Sequence, residues 1–315
     1  MKNVAFIGLG GVGGYFGGKM AQIIQEKENE LNLYFIARGK HLEKIKEHGL
    51  IVNTNKEGSL LCKPTLVTDN FNDLPMLDIC YICVKGYDLN DVLFKIKDKI
   101  HEGSKIIPLL NGVNIYERIR KIIDKGIVFP ACVYIGTHIK EPGVVEQNGG
   151  ACKIIFGRDL QHLEYDAEEI CKLMGEANID YDWTEDHIKE IWSKFMFIAA
   201  YGLVTAYKNQ TFGEIRNDKD SIEKVLGIMN EIYDISKSEG INLPEDIVEA
   251  SFNKINNFPN ETKTSFQRDF ENRDKKDERD LFGQAIIDLG IKNNINTDVT
   301  RNIFDELNKI KKNEF

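Results

Sequence analysis

The sequence has no apolar run of about 18–20 residues, the length that an α-helix needs to cross a bilayer. Basic residues are not in excess either, because 41 lysines and arginines stand against 50 aspartates and glutamates and give a formal net charge of −9. A protein that binds the phosphate backbone of nucleic acids needs a basic surface. We therefore expect neither a membrane nor a nucleic acid as a partner.

Cysteine and histidine are too scattered to predict a disulfide framework or a metal site. The chain of 315 residues has six cysteines. Cys80 and Cys83 form a Cys-x-x-Cys pair, but they lie in the apolar segment Asp78 to Val84, where a buried strand is predicted and residues three apart point to opposite faces. The six histidines form no cluster with ligand spacing, so no metal is expected. The apolar start of the chain is interrupted by glycines and does not end like a cleaved signal, which favours a cytoplasmic protein.

The most informative segment is that apolar start, where Val4 to Ile7 run directly into a Gly-x-Gly-x-x-Gly pattern. In dinucleotide-binding domains, the first glycine of this pattern permits a tight turn, the second lets the backbone approach a pyrophosphate, and the third lets the next helix pack close to the sheet. A helix predicted over Tyr15 to Gln25 would offer N–H groups to the phosphates. The alternative is a glycine-rich turn that only packs. The predicted cofactor-binding residues of the turn are Gly8, Leu9, Gly10, Gly11, Val12 and Gly13.

The segment after the second predicted strand, Leu31 to Ile36, distinguishes the two nicotinamide cofactors. NAD-binding domains place an acidic residue there, against the ribose 2′-hydroxyl. This chain has Arg38 instead. A guanidinium can hold a 2′-phosphate through two parallel hydrogen bonds, whereas a carboxylate would repel it. Arg38 therefore predicts NADPH as the cofactor, although an ordinary solvated arginine also fits this position.

The order of elements predicts an α/β chain of two domains. From Met1 to about Asp182, short apolar segments alternate with amphipathic ones, as in a parallel sheet covered by helices. Beyond Trp183, long periodic segments predict helices. We expect an NADP-binding Rossmann-type domain over residues 1–183, a helical substrate-binding domain over 184–315, and a site in the cleft between them. The predicted strands are Val4–Ile7, Leu31–Ile36, Ile79–Val84, Ile106–Leu109, Ile127–Val133 and Lys153–Phe156, with Leu50–Thr54 and Leu60–Lys63 as a hairpin insertion.

Three further residues are candidates for the chemistry. Lys85 and Asn111 each follow a predicted strand and are expected to point toward the cofactor, Lys85 to phosphate and Asn111 to the nicotinamide end or the substrate. An Asn-Gly pair is by itself most often a turn. Lys194 lies among apolar residues of a predicted helix, where burial would lower its pKa toward the range in which it can donate a proton. A lysine whose ammonium extends to solvent is the commoner case.

Several motifs occur together in the order and spacing of the ketopantoate reductase family, which the chain resembles over essentially its whole length. The resemblance implies a Rossmann domain followed by a helical domain of the 6-phosphogluconate dehydrogenase-like type. It also implies that NADPH reduces the 2-oxo acid 2-dehydropantoate to D-pantoate, a step of pantothenate biosynthesis. A helical second domain of this size is compatible with a homodimer. The motifs are Gly8 to Gly13, Val84-Lys85-Gly86, Leu110-Asn111-Gly112, Pro142-Gly143-Val144, Trp192-x-Lys194 and Lys263 to Asp269.

The resemblance also implies roles for individual residues. Lys194 would protonate the oxygen that becomes the hydroxyl and stabilise negative charge on it. Asn111 would hold the substrate beside the nicotinamide, and Ser265 would bind its carboxylate. Asp277 aligns with the acidic residue of the family and has Glu278 beside it, and either carboxylate could face a substrate. Lys85 and Arg38 would bind the cofactor.

The chain departs from the family at Ile198, Gly202 and Phe212, where typical members have asparagines. A buried polar partner left unmet costs on the order of 1–3 kcal/mol, so a pocket with Ile198 should prefer a more apolar 2-oxo acid. Three functions stay open: a reductase of 2-dehydropantoate, a reductase of a related, more apolar 2-oxo acid, and a protein that binds NADPH without turnover. The presence of Lys194, Ser265 and Asp277 favours an enzyme.

Overall fold

The computed structural model describes residues 1–24, 30–272 and 276–312 and divides into two compact units. Unit 1 comprises Met1–Asn111 and Ile115–His187, and unit 2 comprises Gly112–Asn114 and Ile188–Phe315. The predicted domains, 1–183 and 184–315, differ from these units at two places. Val113 packs against the apolar core of unit 2, and Thr184 donates its N–H to the Phe156 carbonyl of unit 1 at 3.1 Å.

Unit 1 contains all the strands of the described residues and five α-helices. Its strands are β1 (Lys2–Ile7), β2 (Leu31–Ile36), β3 (Leu50–Thr54), β4 (Gly58–Cys62), β5 (Leu66–Thr68), β6 (Leu77–Ile82), β7 (Ile100–Pro108), β8 (Ile127–Val128), β9 (Ala131–Glu141), β10 (Val144–Phe156) and β11 (Asp180–Trp183). Its helices are α1 (Gly11–Gln22), α2 (Gly39–His48), α3 (Leu89–Ile96), α4 (Ile115–Arg120) and α5 (Glu168–Glu176).

The first sheet of unit 1 is parallel throughout and has the strand order β5-β2-β1-β6-β7-β8. The central strand β1 is apolar because helices cover both faces of such a sheet, and Val4, Ala5, Phe6 and Ile7 are completely buried. All six carboxyl ends lie along the same edge of the sheet. This arrangement confirms the predicted Rossmann-type fold.

A second sheet, with the order β11-β10-β3-β4 and β9 paired to β10, corrects the sequence interpretation. The sequence predicts β3 and β4 only as a hairpin insertion, and it predicts one strand over Ile127–Val133. The chain instead leaves the first sheet after Val128 and enters the second at Ala131. Pro130 stands between them and has no N–H group with which to continue a ladder.

Helix α1 packs against both sheets and begins earlier than predicted. It starts at Gly11 rather than Tyr15 and ends at Gln22, and Gln25, the predicted end, lies outside the described residues. A Cβ at Gly14 would lie 2.6 Å from the Val145 side chain of the second sheet. The helix can therefore approach that sheet closely because its contact face carries glycine.

Unit 2 is helical, as predicted. The long helix α6 (His187–Lys208) runs through its core, and Phe195, Met196 and Leu203 on it are buried. In the part of the chain that the structure describes, no helix is both long and apolar enough to cross a membrane. The remaining helices are α7 (Phe212–Asn217), α8 (Lys219–Ser238), α9 (Ile247–Asn253), α10 (Ser265–Glu271), α11 (Ala285–Asn293) and α12 (Asp298–Lys312), with a π-helical segment over Asp280–Gln284.

Candidate cofactor and substrate sites

The glycine-rich turn follows β1 directly. The N–H groups of Gly8 and Leu9 both donate to the Ile36 carbonyl, at 3.0 and 3.2 Å, so the turn is tied to the end of β2. Gly8 has a φ of +96°, which side-chain-bearing residues rarely adopt. A Cβ at Gly13 would lie 2.1 Å from the Gly8 carbonyl oxygen. The first and third glycines thus have the geometry that the sequence predicts for them.

The second glycine, Gly10, differs from both. A Cβ placed there would meet no atom within 4 Å, and the backbone has a φ of −73°. The first hydrogen bond of α1 runs from the Gly14 N–H to the Gly10 carbonyl at 2.8 Å. The N–H groups of the first turn come before this bond and are not used by the hydrogen-bond ladder of the helix. Open space beside helix-terminal N–H groups fits the pyrophosphate of a dinucleotide.

The other residues of the turn, Leu9, Gly11 and Val12, pack against neighbouring parts of unit 1. Leu9 is 3% exposed and belongs to the apolar core of unit 1, and Val12 packs against the same core. A Cβ at Gly11 would lie 2.7 Å from the Thr137 carbonyl oxygen of β9. Gly11 and Val12 would therefore contribute to a cofactor site through their backbone N–H groups, whereas the N–H of Leu9 donates to Ile36.

Arg38 lies where the sequence predicts it, two residues after the end of β2. Its side chain is 79% exposed, and its Nη2 donates to Oδ2 of Asp88 at 2.8 Å. The sequence pattern did not single out Asp88, because aspartate is common in turns. The signal that could have indicated Asp88 is its position three residues after Lys85, which itself follows the end of a parallel strand.

Lys85 and Asn111 follow two further strands of the same sheet. Lys85 is half-buried and extended, and its carbonyl accepts the Asp88 N–H at 2.9 Å in a short 3₁₀ turn. The ladder after β7 continues to Leu109, whose N–H donates to the Ile82 carbonyl at 2.7 Å, and half-buried Asn111 follows. Arg38 follows β2, the glycine turn follows β1, Lys85 follows β6 and Asn111 follows β7. These four strands are adjacent in the sheet, in the order β2-β1-β6-β7. The fold therefore brings these four predictions to one edge of one sheet.

The Cys-x-x-Cys pair lies near the same edge. Cys80 is completely buried in β6, and burial raises its pKa to about 12, so it is a poor nucleophile and a poor metal ligand. Cys80 and Cys83 are both free thiols. Within the described ranges, no cluster of histidine, cysteine and carboxylate side chains could hold a metal ion.

In unit 2, Lys194 lies in the middle of α6. Trp192, Phe195 and Met196 around it are buried, whereas Lys194 and Ile198 are partly exposed. Residues four apart lie on the same face of a helix, so Ile198 is the next side chain along the accessible face that Lys194 occupies. The partly exposed residues Ser193, Lys194, Phe197 and Ile198 form an accessible stripe on α6, and Phe197 and Ile198 also pack against the apolar core of unit 2.

Ser265 is the exposed first residue of α10, a helix that is fastened to α6. The preceding residue, Thr264, caps α10 by accepting the Gln267 N–H at 3.1 Å. The hydroxyls of Thr264 and Thr205 lie 2.9 Å apart. This bond between neighbouring helices positions the backbone that carries Ser265.

Gly202 and Phe212 do not lie open to a ligand. Gly202 is buried, and a Cβ there would lie 3.5 Å from Phe266. Phe212 is 2% exposed, with its ring centroid 5.4 Å from that of Tyr201 and 5.2 Å from that of Phe258. Of the three departures from the family pattern, Ile198 alone is on the accessible stripe of α6.

Asp277 has a structural environment that counts against the predicted contact with substrate. Its side chain is 1% exposed, and Oδ1 accepts from the backbone N–H and Nε of Arg279 while Oδ2 accepts from Lys311 at 2.5 Å. Both carboxylate oxygens are therefore engaged by neighbouring cations. Glu278, the alternative, is 5% exposed. The sequence could not reveal the contact between Asp277 and Lys311, because the two residues are far apart in the chain.

Comparison with known proteins agrees with the two-unit fold. A family model described as ketopantoate reductase PanE/ApbA matches residues 4–159, and one described as the C-terminal part of ketopantoate reductase PanE/ApbA matches residues 186–311. A curated relative, the uncharacterised oxidoreductase YkpB of Bacillus subtilis, is 28% identical over 285 residues, with 89% of each chain covered.

Two solved structures illustrate the likeness. The 2-dehydropantoate 2-reductase of Porphyromonas gingivalis is 26% identical, with a TM-score of 0.81 and coverage of 97% of this chain and 99% of that one. The ternary structure of D-mandelate dehydrogenase with NADH and anilino(oxo)acetate has a TM-score of 0.84 and covers 99% of both chains. Its identity of 18% makes this second likeness one of fold.

Proposed function

We propose that this chain, which belongs to the ketopantoate reductase family of oxidoreductases, uses NADPH to reduce 2-dehydropantoate or a related 2-oxo acid to the 2-hydroxy acid. The observation that carries the proposal is the turn after β1, where Gly10 leaves open space beside the N-terminal N–H groups of α1. Reduction of 2-dehydropantoate would be a step of pantothenate biosynthesis.

The residues at the edge of the parallel sheet fit a nicotinamide dinucleotide. The α1 N–H groups would bind its pyrophosphate, and Lys85 would add a positive charge. Arg38 favours NADPH over NADH, because a guanidinium can bind a 2′-phosphate through two hydrogen bonds. Asn111, after β7, would orient the nicotinamide end or the substrate. A bound nicotinamide would supply the hydride, and the residues of the chain would supply the binding and the proton.

Lys194 would act as the proton donor. Its ammonium would hydrogen-bond the carbonyl oxygen of the 2-oxo acid, stabilise the negative charge that develops there, and pass a proton to it. The buried neighbours Phe195 and Met196 hold this part of α6 in place, while Lys194 itself keeps an accessible position. Ser265 would bind the substrate carboxylate through its exposed hydroxyl.

A second candidate, the reductase of a more apolar 2-oxo acid, is favoured by Ile198. This side chain is accessible one turn after Lys194, where the family resemblance implies an asparagine. Gly202 and Phe212 give no further support, since Phe266 packs over the first and the second lies in an aromatic core. The fold itself does not choose a substrate, because D-mandelate dehydrogenase shares it.

The test is steady-state oxidation of NADPH and NADH with 2-dehydropantoate, 2-oxoisovalerate and 4-methyl-2-oxopentanoate. Saturable turnover of 2-dehydropantoate with NADPH supports the first candidate, and turnover of the apolar acids alone supports the second. Ile198→Asn should shift kcat/KM toward 2-dehydropantoate, whereas Ile188→Asn, a polar change elsewhere on α6, should leave the ratio between substrates unchanged. If none of the three acids supports oxidation of NADPH or NADH, the proposal is contradicted.

A further inference from the structure

The ion pair between Arg38 and Asp88 joins the ends of two strands. Arg38 follows β2, and Asp88 ends the turn after β6; these strands lie on either side of β1, so their ends are about 10 Å apart. The long arginine side chain covers this distance and places its Nη2 2.8 Å from Oδ2 of Asp88. The pair therefore lies at the carboxyl edge of the sheet, where the glycine turn also begins.

The Asp88 carboxylate is directed toward Arg38 rather than toward its own helix. Asp88 is the N-cap residue of α3, a position where an aspartate normally accepts an N–H of the first turn, yet its side chain makes no such bond. Its backbone is held instead by the N–H that it donates to the Lys85 carbonyl at 2.9 Å. The Asp88 side chain is 24% exposed against 79% for Arg38, so the carboxylate is the more enclosed partner of the pair.

We propose that Asp88 is a residue that determines cofactor specificity, and that it reduces the preference for NADPH over NADH that Arg38 creates. The inference rests on the proposed function, in which Arg38 binds the 2′ end of the dinucleotide. A 2′-phosphate and the Asp88 carboxylate are both anions beside one guanidinium, so they compete for its donors and repel each other. A 2′-hydroxyl carries no charge and can donate a hydrogen bond to the carboxylate.

The experiment compares Asp88→Asn with Asp91→Asn, which removes the same charge from the same helix. Asp91 is paired with Lys95 at 2.6 Å and makes no contact with Arg38 in the described structure. Dissociation constants are measured by calorimetry for NADPH and NADH, and for adenosine 2′,5′-bisphosphate and adenosine 5′-phosphate, which differ only in the 2′-phosphate. Thermal unfolding of each variant checks that the fold is kept.

Asp88→Asn should raise the ratio of the NADH to the NADPH dissociation constant about fivefold, the size expected for one charge beside a well-exposed guanidinium. The ratio of the adenosine 5′-phosphate to the adenosine 2′,5′-bisphosphate dissociation constant should rise as well. Asp91→Asn should leave both ratios unchanged. The effect of Asp88→Asn should shrink when Arg38→Gln is also present. An unchanged ratio in Asp88→Asn overturns this inference and leaves the proposed function standing. Absence of binding of both dinucleotides to the unmodified protein overturns both.

Discussion

His41 accepts a hydrogen bond from the backbone N–H of Gly143, at 2.9 Å from its Nδ1. The bond joins the first turn of α2 to the turn between β9 and β10. Because Nδ1 is the acceptor, the ring must be neutral, with its proton on Nε2. Burial accordingly lowers the pKa of His41. His187, which is 4% exposed, has its pKa lowered for the same reason.

The first prediction is that the protein loses stability as the pH falls below about 6.5, the ordinary histidine pKa. Below that value the unfolded chain binds protons at His41 and His187 that the folded chain does not yet bind, so stability rises with pH in this window. Urea unfolding over about pH 5.5–8 measures the slope. His41→Asn keeps an acceptor for Gly143 and should reduce the slope, whereas the exposed His138→Asn should not. Equal slopes for His41→Asn and the unmodified protein would refute the assignment.

The second prediction separates the glycines of the turn. Gly10→Ala should leave the thermal midpoint nearly unchanged, because its Cβ meets no atom within 4 Å, but it should weaken NADPH binding by filling that space. Gly13→Ala should lower the midpoint itself, since its Cβ would lie 2.1 Å from the Gly8 oxygen. Calorimetric binding and thermal unfolding distinguish the two effects. Full NADPH affinity in Gly10→Ala would remove the principal support for the cofactor site.

The third prediction concerns the proton donor. Lys194→Ala should lower kcat by a factor of about 10²–10⁴, the usual contribution of a positioned acid, and should leave the NADPH dissociation constant unchanged because its role lies in the transition state. Lys189→Ala changes an exposed lysine of the same helix and serves as the control. If both variants retain equal turnover, Lys194 is not the donor.

The fourth prediction concerns a buried ion pair in unit 1. Asp159 is completely buried, pairs with Arg120, and accepts bonds from the Tyr116 hydroxyl at 2.5 Å and the Val128 N–H at 2.8 Å. Asp159→Asn leaves the Arg120 guanidinium without its counter-charge and should cost about 3–5 kcal/mol of unfolding free energy. Glu185→Gln, which breaks an exposed pair with Arg158, should cost less than about 1 kcal/mol. Equal losses in urea unfolding would contradict this difference.

Local patterns sufficed for much of the fold. Strand β2 is found at its predicted residues, Leu31–Ile36, because its alternate residues Leu31, Leu33 and Phe35 are apolar and buried, which is a recognisable local pattern. Strand β10 was recovered only at its end, Lys153–Phe156, although it begins at Val144. Register shifts near Gly149 interrupt its alternation, and Asn148, Gly150 and Ala151 in its middle are exposed, so no apolar run marks its first half.

The candidate site divides in the same way. The sequence by itself determined the glycine turn, Arg38, Lys85 and Asn111 as residues that follow parallel strands, because chain order and strand ends are local properties. Only the tertiary structure decided that Asp88 binds Arg38, that Phe212 lies in an aromatic core, and that Lys311 forms an ion pair with Asp277. These are contacts between residues distant in the chain, and they depend on how the folded backbone brings charges and rings together.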